Sequence, residues 1–253
     1  NPEIAAARAA GIPVFERAEA WGAIMRRYEH ALCVAGTHGK TTTTSMCTHI
    51  FLAAQRDPTV MIGGTLPALG AGHRVGQGDT IILESCEYCN SFLSFFPTVA
   101  VILNVDADHL DFFKDLEDIR NSFHRFAKLL PKDGTLVING DIDRLDEITG
   151  DLDCKIVTYG TNPSATYHAA NVTHDELGEA SFDLVKNGEF VDRISLSVSG
   201  DHNVSNALAA LAVADLLDVN VSVAKKGLKE FHGTDRRFEY KGETNGVTII
   251  DDY

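Results

Sequence analysis

The first 160 residues alternate between short apolar runs and segments with helical spacing. The run at 31–35 ends at a glycine, and its length and composition are typical of a strand buried in a parallel sheet. Further short apolar runs lie at 59–62, 80–83, 98–103, 135–138 and 155–158. Before the fifth run, apolar residues recur at intervals of three and four, which predicts an amphipathic helix from Leu116, Ile119, Phe123, Phe126 and Leu130.

The remaining segments complete an α/β pattern. Residues 1–30 have a helical composition interrupted by Gly11 and Pro13, and further helices are predicted at 41–54, 203–217 and 221–231. After Gly160 the runs at 167–172, 181–186 and 189–198 predict antiparallel strands, the last two joined by an Asn187-Gly188 hairpin turn. The predicted fold class is α/β, with a mostly parallel sheet of P-loop type flanked by helices and a smaller antiparallel β region.

Charge and hydropathy narrow the functional classes. The 253 residues include 22 Lys and Arg against 36 Asp and Glu, for a formal net charge of −14. This balance argues against nucleic acid as a partner, because phosphate-backbone binding needs clustered positive charge. It leaves room for a nucleotide, whose phosphates bind locally to backbone N–H groups. No apolar run approaches the ~20 residues that span a bilayer, so no membrane partner is predicted.

The five cysteines are odd in number and irregularly spaced, which predicts reduced thiols in the cytosol. Cys86 and Cys89 form a C-x-x-C without the second ligand pair of a structural zinc site, so a simple turn is expected there. The sequence begins without Met and stops in an apolar run, and we therefore expect a segment of a longer protein.

A phosphate-binding loop is predicted between the first strand and the next helix. Residues 36–41 read Gly-Thr-His-Gly-Lys-Thr, a shortened variant of the standard loop, which would have Gly where Val34 stands. The glycines let backbone N–H groups face phosphate oxygens, and the helix N-terminus favours an anion. Lys40 adds a positive charge near the terminal phosphates, and the Thr41 hydroxyl is a suitable Mg²⁺ ligand.

Acidic and imidazole groups follow two neighbouring strands. Glu84 ends the run at 80–83, and Asp106, Asp108 and His109 follow the run at 98–103. Because ligands bind at the carboxyl ends of the strands in an open α/β sheet, we expect these groups to converge with the loop. Glu84 suits Mg²⁺, and His109 suits a second metal or a metal-bound water. We interpret three neighbouring acids as solvated surface charges: Glu87, Asp111 and Asp115.

Two asparagines open the helix predicted at 203–217. Asn203 and Asn206 lie three residues apart on one helix face. Asn203 suits a helix cap, and both amides also suit hydrogen bonds to a purine base. Near the end of the chain, Arg236 and Arg237 have the fork geometry that binds phosphates.

Taken in order, these motifs resemble the Mur ligases, the ATP-dependent ligases of peptidoglycan precursor synthesis. Residues 36–44 resemble the family's ATP loop. The family's two metal-binding segments resemble residues 84–93 and 104–111, and the start of its adenine-binding helix resembles residues 200–207. The junction with its C-terminal domain resembles residues 231–239 and 251–253. The resemblance implies L-alanine and UDP-N-acetylmuramate as the expected substrates.

The resemblance implies ATP and Mg²⁺ as cofactors, bacterial cytoplasm as location and the following site. Lys40 and His109 are the catalytic residues. The expected metal ligands are Thr41 and Glu84 for the first Mg²⁺ and His109 for the second. The expected nucleotide-binding residues are Gly36, Thr37, His38, Gly39, Lys40, Thr41, Thr42, Asn203, Asn206, Arg237 and Asp252. Several relatives hold the second metal with a carbamylated lysine, whereas the residue fifteen positions after His109 is here His124.

The resemblance also implies a domain division and a reaction. Residues 1–30 resemble the tail of an N-terminal UDP-binding domain, 31–240 a central ATP-binding domain, and 241–253 the truncated start of a C-terminal domain. The expected reaction forms an acyl phosphate from the substrate carboxylate and ATP, which an amine then attacks. Two alternatives stay open: a related ligase that adds a peptide or another amino acid, and a nucleotide-binding module without turnover in isolation. A P-loop kinase or GTPase is disfavoured because no guanine-reading N-K-x-D segment is present and because the sequence contains the Glu84 and His109 pair.

Overall fold

In the computed structural model, which describes residues 1–235 and 239–252, one ten-stranded sheet organises the chain. The strand order is β10-β9-β8-β7-β6-β5-β1-β4-β2-β3, and a separate two-stranded sheet joins β11 to β12. The strands are β1 His30–Ala35, β2 Thr59–Leu66, β3 Ala71–Arg74, β4 Thr80–Glu84, β5 Val99–Ile102, β6 Thr135–Asn139, β7 Lys155–Gly160, β8 Tyr167–His174, β9 Glu179–Lys186, β10 Glu189–Ser199, β11 Glu239–Thr244 and β12 Val247–Asp251.

Helices cover both faces of the large sheet. They are α1 Pro2–Ala9, α2 Arg17–Met25, α3 Lys40–Ala53, α4 Leu116–Ala127, α5 Asp146–Thr149, α6 Asp201–Leu216 and α7 Val221–Lys229, with a 3-10 helix at Tyr88–Ser94. One apolar core packs α3, α6 and α7 against the sheet, and a second packs α2, the 3-10 helix and α4. No helix among these residues has both the length and the apolar character needed to cross a bilayer.

The central strand β1 places the predicted loop at a switch point of the topology. It pairs in parallel with β4 on one side and β5 on the other. The chain must cross β1 to pass from β4 to β5, so their carboxyl ends enclose a crevice in which α/β proteins bind ligands. The predicted α/β class and mostly parallel sheet are confirmed.

The predicted antiparallel region is confirmed as β8, β9 and β10. It continues the large sheet, because Tyr159 of β7 pairs in parallel with Tyr167 of β8. Asn187 and Gly188 both have positive φ, 52° and 81°, as the predicted hairpin turn requires.

Helix α6 is buried on all sides over much of its length. Its residues 206–214 are all buried, since it packs on the sheet while α3 and α7 cover it from the sides. No sequence pattern predicted β3, α5, the 3-10 helix or β11, whereas the apolar run near the end of the chain lies in β12.

Candidate active site

The loop at 36–39 leaves the carboxyl end of β1 and leads directly into α3. Gly39 precedes the helix with φ 83°, a backbone conformation that residues other than glycine rarely adopt. A Cβ atom there would also lie 2.6 Å from Oδ1 of Asn206, so the loop and α6 touch at this glycine. The first amides of α3 have no intrahelical partner and form a site for an anion.

Lys40 is held by three residues. Its Nζ donates to the carbonyl oxygens of Gly36 at 2.5 Å and Thr37 at 3.0 Å, and to both carboxylate oxygens of Glu87, at 3.2 Å to Oε1 and 3.0 Å to Oε2. The side chain of Glu87 is only 2% exposed, so its interpretation as a solvated surface charge is wrong. The reason is tertiary: the chain folds back after β4 into the 3-10 helix and carries Glu87 beneath the loop.

Thr41 and Glu84 converge as predicted. The Thr41 hydroxyl donates to Glu84 Oε1 at 3.1 Å, and the backbone N–H of Gly63 donates to Glu84 Oε2 at 2.6 Å. A Cβ atom at position 63 would lie 2.6 Å from the carboxylate, so a side chain there would displace Glu84 from its present position. The carboxylate and hydroxyl oxygens are ligands of the type that Mg²⁺ prefers, and these residues fit that ion.

His109 lies on the other side of Glu87. Its Nε2 is 3.9 Å from Glu87 Oε1 and 3.9 Å from Asp108 Oδ2, and its ring centroid is 4.7 Å from that of Tyr88. The backbone of His109 has φ 50°, a conformation that is uncommon outside glycine and concentrates at functional sites. The structure therefore brings Lys40, Glu87 and His109 together.

The other two acids interpreted as surface charges are exposed. Asp111 accepts a hydrogen bond from the Tyr88 hydroxyl at 2.8 Å, and this bond raises the pKa of Tyr88 to about 12. Asp115 caps α4 by accepting from the N–H of Asp118 at 2.9 Å. Both therefore have local structural contacts in addition to solvent.

Asn104 is a site residue that the sequence reasoning missed. Its Oδ1 accepts from the N–H of His38 at 2.7 Å, and its Nδ2 donates to the carbonyl of His38 at 3.0 Å. The Asn104 carbonyl also accepts from the N–H of Thr37 at 3.2 Å. The segment after β5 thus fixes the loop. The signal available in the sequence was that Asn104 directly follows the apolar run at 98–103.

Asn203 and Asn206 form a buried pair at the start of α6. Asn206 Nδ2 donates to Asn203 Oδ1 at 3.1 Å, and Asn203 Nδ2 donates to the carbonyl of Ser199 at 2.8 Å. Gly200 is the capping residue, so the reading of Asn203 as the helix cap is wrong. The pair fixes the orientation of both amides beside the loop.

Two of the remaining predicted ligands are near the end of the chain. Arg237 falls outside the described residues, and Asp252, directly after β12, is exposed. His124 contacts α5 and the loop after it, through the carbonyl of Ile148 at 3.0 Å and Asp151 Oδ1 at 3.4 Å.

The described residues include two further sets of potential metal ligands. The cysteines of the C-x-x-C are free, with Cys89 exposed in the 3-10 helix. Within the described ranges, three potential metal ligands approach within 4.8 Å of one another at Glu29, His30 and Asp79, where β1 and β4 begin. These residues lie at the amino ends of β1 and β4, whereas the loop lies at the carboxyl end of β1.

Comparison with known proteins decides the family. The Mur ligase middle domain matches residues 34–214. The chain belongs to the Mur ligase family. This match lies inside the predicted central region and includes the loop, Glu84, His109 and both asparagines of α6.

Two similar relatives of this Mur ligase chain are UDP-N-acetylmuramate–L-alanine ligases. That of Lachnospira eligens is 53% identical over 254 residues, and that of Lachnoclostridium phytofermentans is 51% identical over 263 residues. Each alignment covers 100% of this chain, but only 55% and 56% of the respective relative. The chain therefore spans about half the length of these relatives.

Solved structures agree with the Mur ligase fold. The UDP-N-acetylmuramate–alanine ligase of Thermotoga maritima superposes with a TM-score of 0.85 and 30% identity, covering 100% of this chain and 57% of that one. A MurF ligase of the same organism, in complex with ADP, is 20% identical with a TM-score of 0.73, over 94% of this chain and 57% of that one, and supports the fold alone.

Proposed function

We propose that this chain is the ATP-binding part of a ligase that joins L-alanine to UDP-N-acetylmuramate in peptidoglycan precursor synthesis. The observation that carries the proposal is the convergence of Lys40 with Thr41 and Glu84 at the carboxyl edge of β1 and β4. The names of the similar relatives supply the substrates. Because those relatives are bacterial and ATP is the phosphate donor, we assign the reaction to the bacterial cytoplasm.

The triphosphate of ATP binds at the start of α3 in this proposal. The amides of Thr37 and His38 already donate to Asn104, so the amides from Gly39 to Thr42 are the main donors to phosphate. Lys40 neutralises charge on the terminal phosphates, where phosphoryl transfer depends mostly on positioning and electrostatic stabilisation.

Thr41 and Glu84 would hold Mg²⁺, and His109 would contribute to a second metal. A bound Mg²⁺ supplies positive charge to the phosphoryl oxygens during transfer. For the base, the amides of Asn203 and Asn206 are the proposed partners of adenine. By the family resemblance, Arg237 contacts phosphate and Asp252 the ribose.

The chemistry activates a poor acyl donor. The carboxylate of UDP-N-acetylmuramate attacks the γ-phosphorus of ATP, ADP leaves, and an acyl phosphate forms. The neutral amine of L-alanine then attacks the acyl carbon and phosphate leaves, while the amine loses its proton. Lys40 stays at the phosphates in the first step, and its charge is worth most where water is excluded.

Product analysis of the full-length enzyme tests the proposal. We expect amide product, ADP and phosphate from ATP, UDP-N-acetylmuramate and L-alanine, and little product from other amino acids. Product formed only with a different amino acid or with a peptide would assign the chain to another Mur ligase. ATP binding without any ligation by the full-length protein would contradict a ligase.

A further inference from the structure

Glu87 is a buried carboxylate to which the proposed function assigns no role. It lies between residues from two different loops, with Oε2 3.0 Å from Lys40 Nζ and Oε1 3.9 Å from His109 Nε2. Glu87 follows β4, whereas Lys40 follows β1 and His109 follows β5. One side chain thus connects the segments after three adjacent parallel strands.

The location of this acid is costly for stability. A carboxylate that leaves water loses its hydration, and a buried ion pair contributes little net stability compared with well-packed apolar residues. The site is also one where a triphosphate is proposed to bind, so a second negative group there weakens anion binding unless a cation compensates it. Stability and ATP affinity therefore give little reason for an acid at position 87.

Control of Lys40 gives a better reason. A lysine ammonium is a compact charge on a flexible four-carbon stem, and it has three N–H donors. Two of these donors bind carbonyls of the lysine's own loop, Gly36 and Thr37, and the third binds Glu87. The contact with Glu87 joins the ammonium of Lys40, which follows β1, to the segment that follows β4.

We propose that Glu87 is a positioning residue, which fixes the ammonium of Lys40 relative to His109 for phosphoryl transfer. The inference rests on the proposed phosphate role of Lys40. Misplacing a catalytic group by 1 Å costs roughly 100-fold in rate, so loss of the Glu87 charge should lower kcat by about 10- to 100-fold. ATP affinity should change little, because the amides of α3 bind the phosphates independently of Glu87.

The test uses the full-length enzyme with Glu87→Gln, which keeps the size and one acceptor oxygen but removes the charge. Three quantities are measured: kcat with saturating substrates, the Kd and stoichiometry of ATP binding by calorimetry, and the urea unfolding midpoint. Glu176→Gln, an exposed acid in the turn between β8 and β9, is the matched control. If Glu87→Gln does not fold, Glu87→Asp carries the test with the same thresholds.

A fall in kcat of about tenfold or more, with Kd within about threefold and unchanged ATP stoichiometry, supports positioning. A kcat within about twofold of wild type overturns it. A loss of kcat matched by an equal loss of ATP stoichiometry also overturns it, because fewer folded sites then explain the whole effect.

Lys40→Met separates this inference from the proposed function. Wild-type ATP affinity and turnover in Lys40→Met contradict the phosphate role of Lys40 itself. Lost turnover in Lys40→Met, together with wild-type kcat in Glu87→Gln, overturns only the role of Glu87.

Discussion

The Thr41 hydroxyl donates a hydrogen bond to Glu84 Oε1 at 3.1 Å, which joins the first turn of α3 to the end of β4. Glu84→Gln keeps the shape of this contact but removes the negative charge proposed to hold Mg²⁺. Loss of even an outer-shell partner lowers metal affinity 10- to 100-fold, so we expect the half-saturating Mg²⁺ concentration to rise by about tenfold or more. A Mg²⁺ titration of turnover in the full-length enzyme, with Glu176→Gln as control, measures this. An unchanged Mg²⁺ requirement would return Glu84 to a structural role.

Lys40 and Glu87 make a prediction about stability that is separate from catalysis. Lys40→Met leaves the buried Glu87 carboxylate without its cation, which should lower the free energy of unfolding by about 3 kcal/mol. Adding Glu87→Gln removes the unpaired charge, so the double variant should regain most of that stability while turnover stays lost. Urea unfolding of the wild type, both single variants and the double variant forms a double-mutant cycle. Additive effects of the two changes would contradict a coupled buried pair.

Gly39 offers a way to separate backbone strain from contact. Its φ of 83° and the 2.6 Å approach of a Cβ atom to Asn206 both oppose Gly39→Ala. Gly70 also has a positive φ, 62°, but a Cβ atom there meets nothing within 4 Å. We expect Gly70→Ala to cost about 1 kcal/mol of stability from strain alone, and Gly39→Ala to cost more and to weaken ATP binding. An equal loss of stability in both variants, with ATP affinity unchanged, would mean that the contact between the loop and α6 affects neither stability nor ATP binding.

Asn206→Ala tests the proposed base contact. Losing one hydrogen bond to the base costs about 1 kcal/mol, so ATP affinity should fall about five- to tenfold. Inorganic tripolyphosphate lacks the base, and its affinity should stay the same. Asn121→Ala on the exposed face of α4 is the matched control, and calorimetry with both ligands gives the comparison. An equal loss of affinity for both ligands would mean that Asn206 acts through the loop instead of the base.

The predictable part of this site is the part encoded by local patterns. The run at 31–35 followed by Gly-x-x-Gly-Lys-Thr predicts a strand, a loop and a helix, and all three are present. Glu84 and His109 could be placed because Glu84 ends β4 and His109 lies in the segment that follows β5. Local sequence was sufficient where the chemistry lies at the end of a regular element.

The unpredicted part depends on how distant segments pack. Glu87 has the sequence surroundings of a surface acid, and its burial follows from a 3-10 helix that contains left-handed Cys89 and Asn90. That turn has no periodic pattern that would reveal it. The two hydrogen bonds between the Asn104 side chain and the backbone of His38 likewise join residues 66 positions apart, and no local signal specifies such a pair.

The cysteines give a prediction that needs no ligand. Burial raises the pKa of both Cys33 and Cys47 to about 12, and it also raises the pKa of the partly buried Cys86 and Cys154. The thiolate is the reactive form, so at pH 8 an alkylating reagent should modify the exposed Cys89 first, and Cys33 and Cys47 only after unfolding. Because the folded pKa values of the two buried thiols exceed their ordinary value, the folded state retains protons that the unfolded state loses. Their contribution to stability is therefore complete below about pH 9 and declines as the pH rises towards 12.

Time-resolved mass spectrometry of alkylated peptides measures the order in which the cysteines react. Cys89→Ser is the control, and it should remove the fast phase of labelling. Rapid labelling of Cys33 or Cys47 in the folded protein would contradict the packing of β1 and α3 on which the phosphate loop depends.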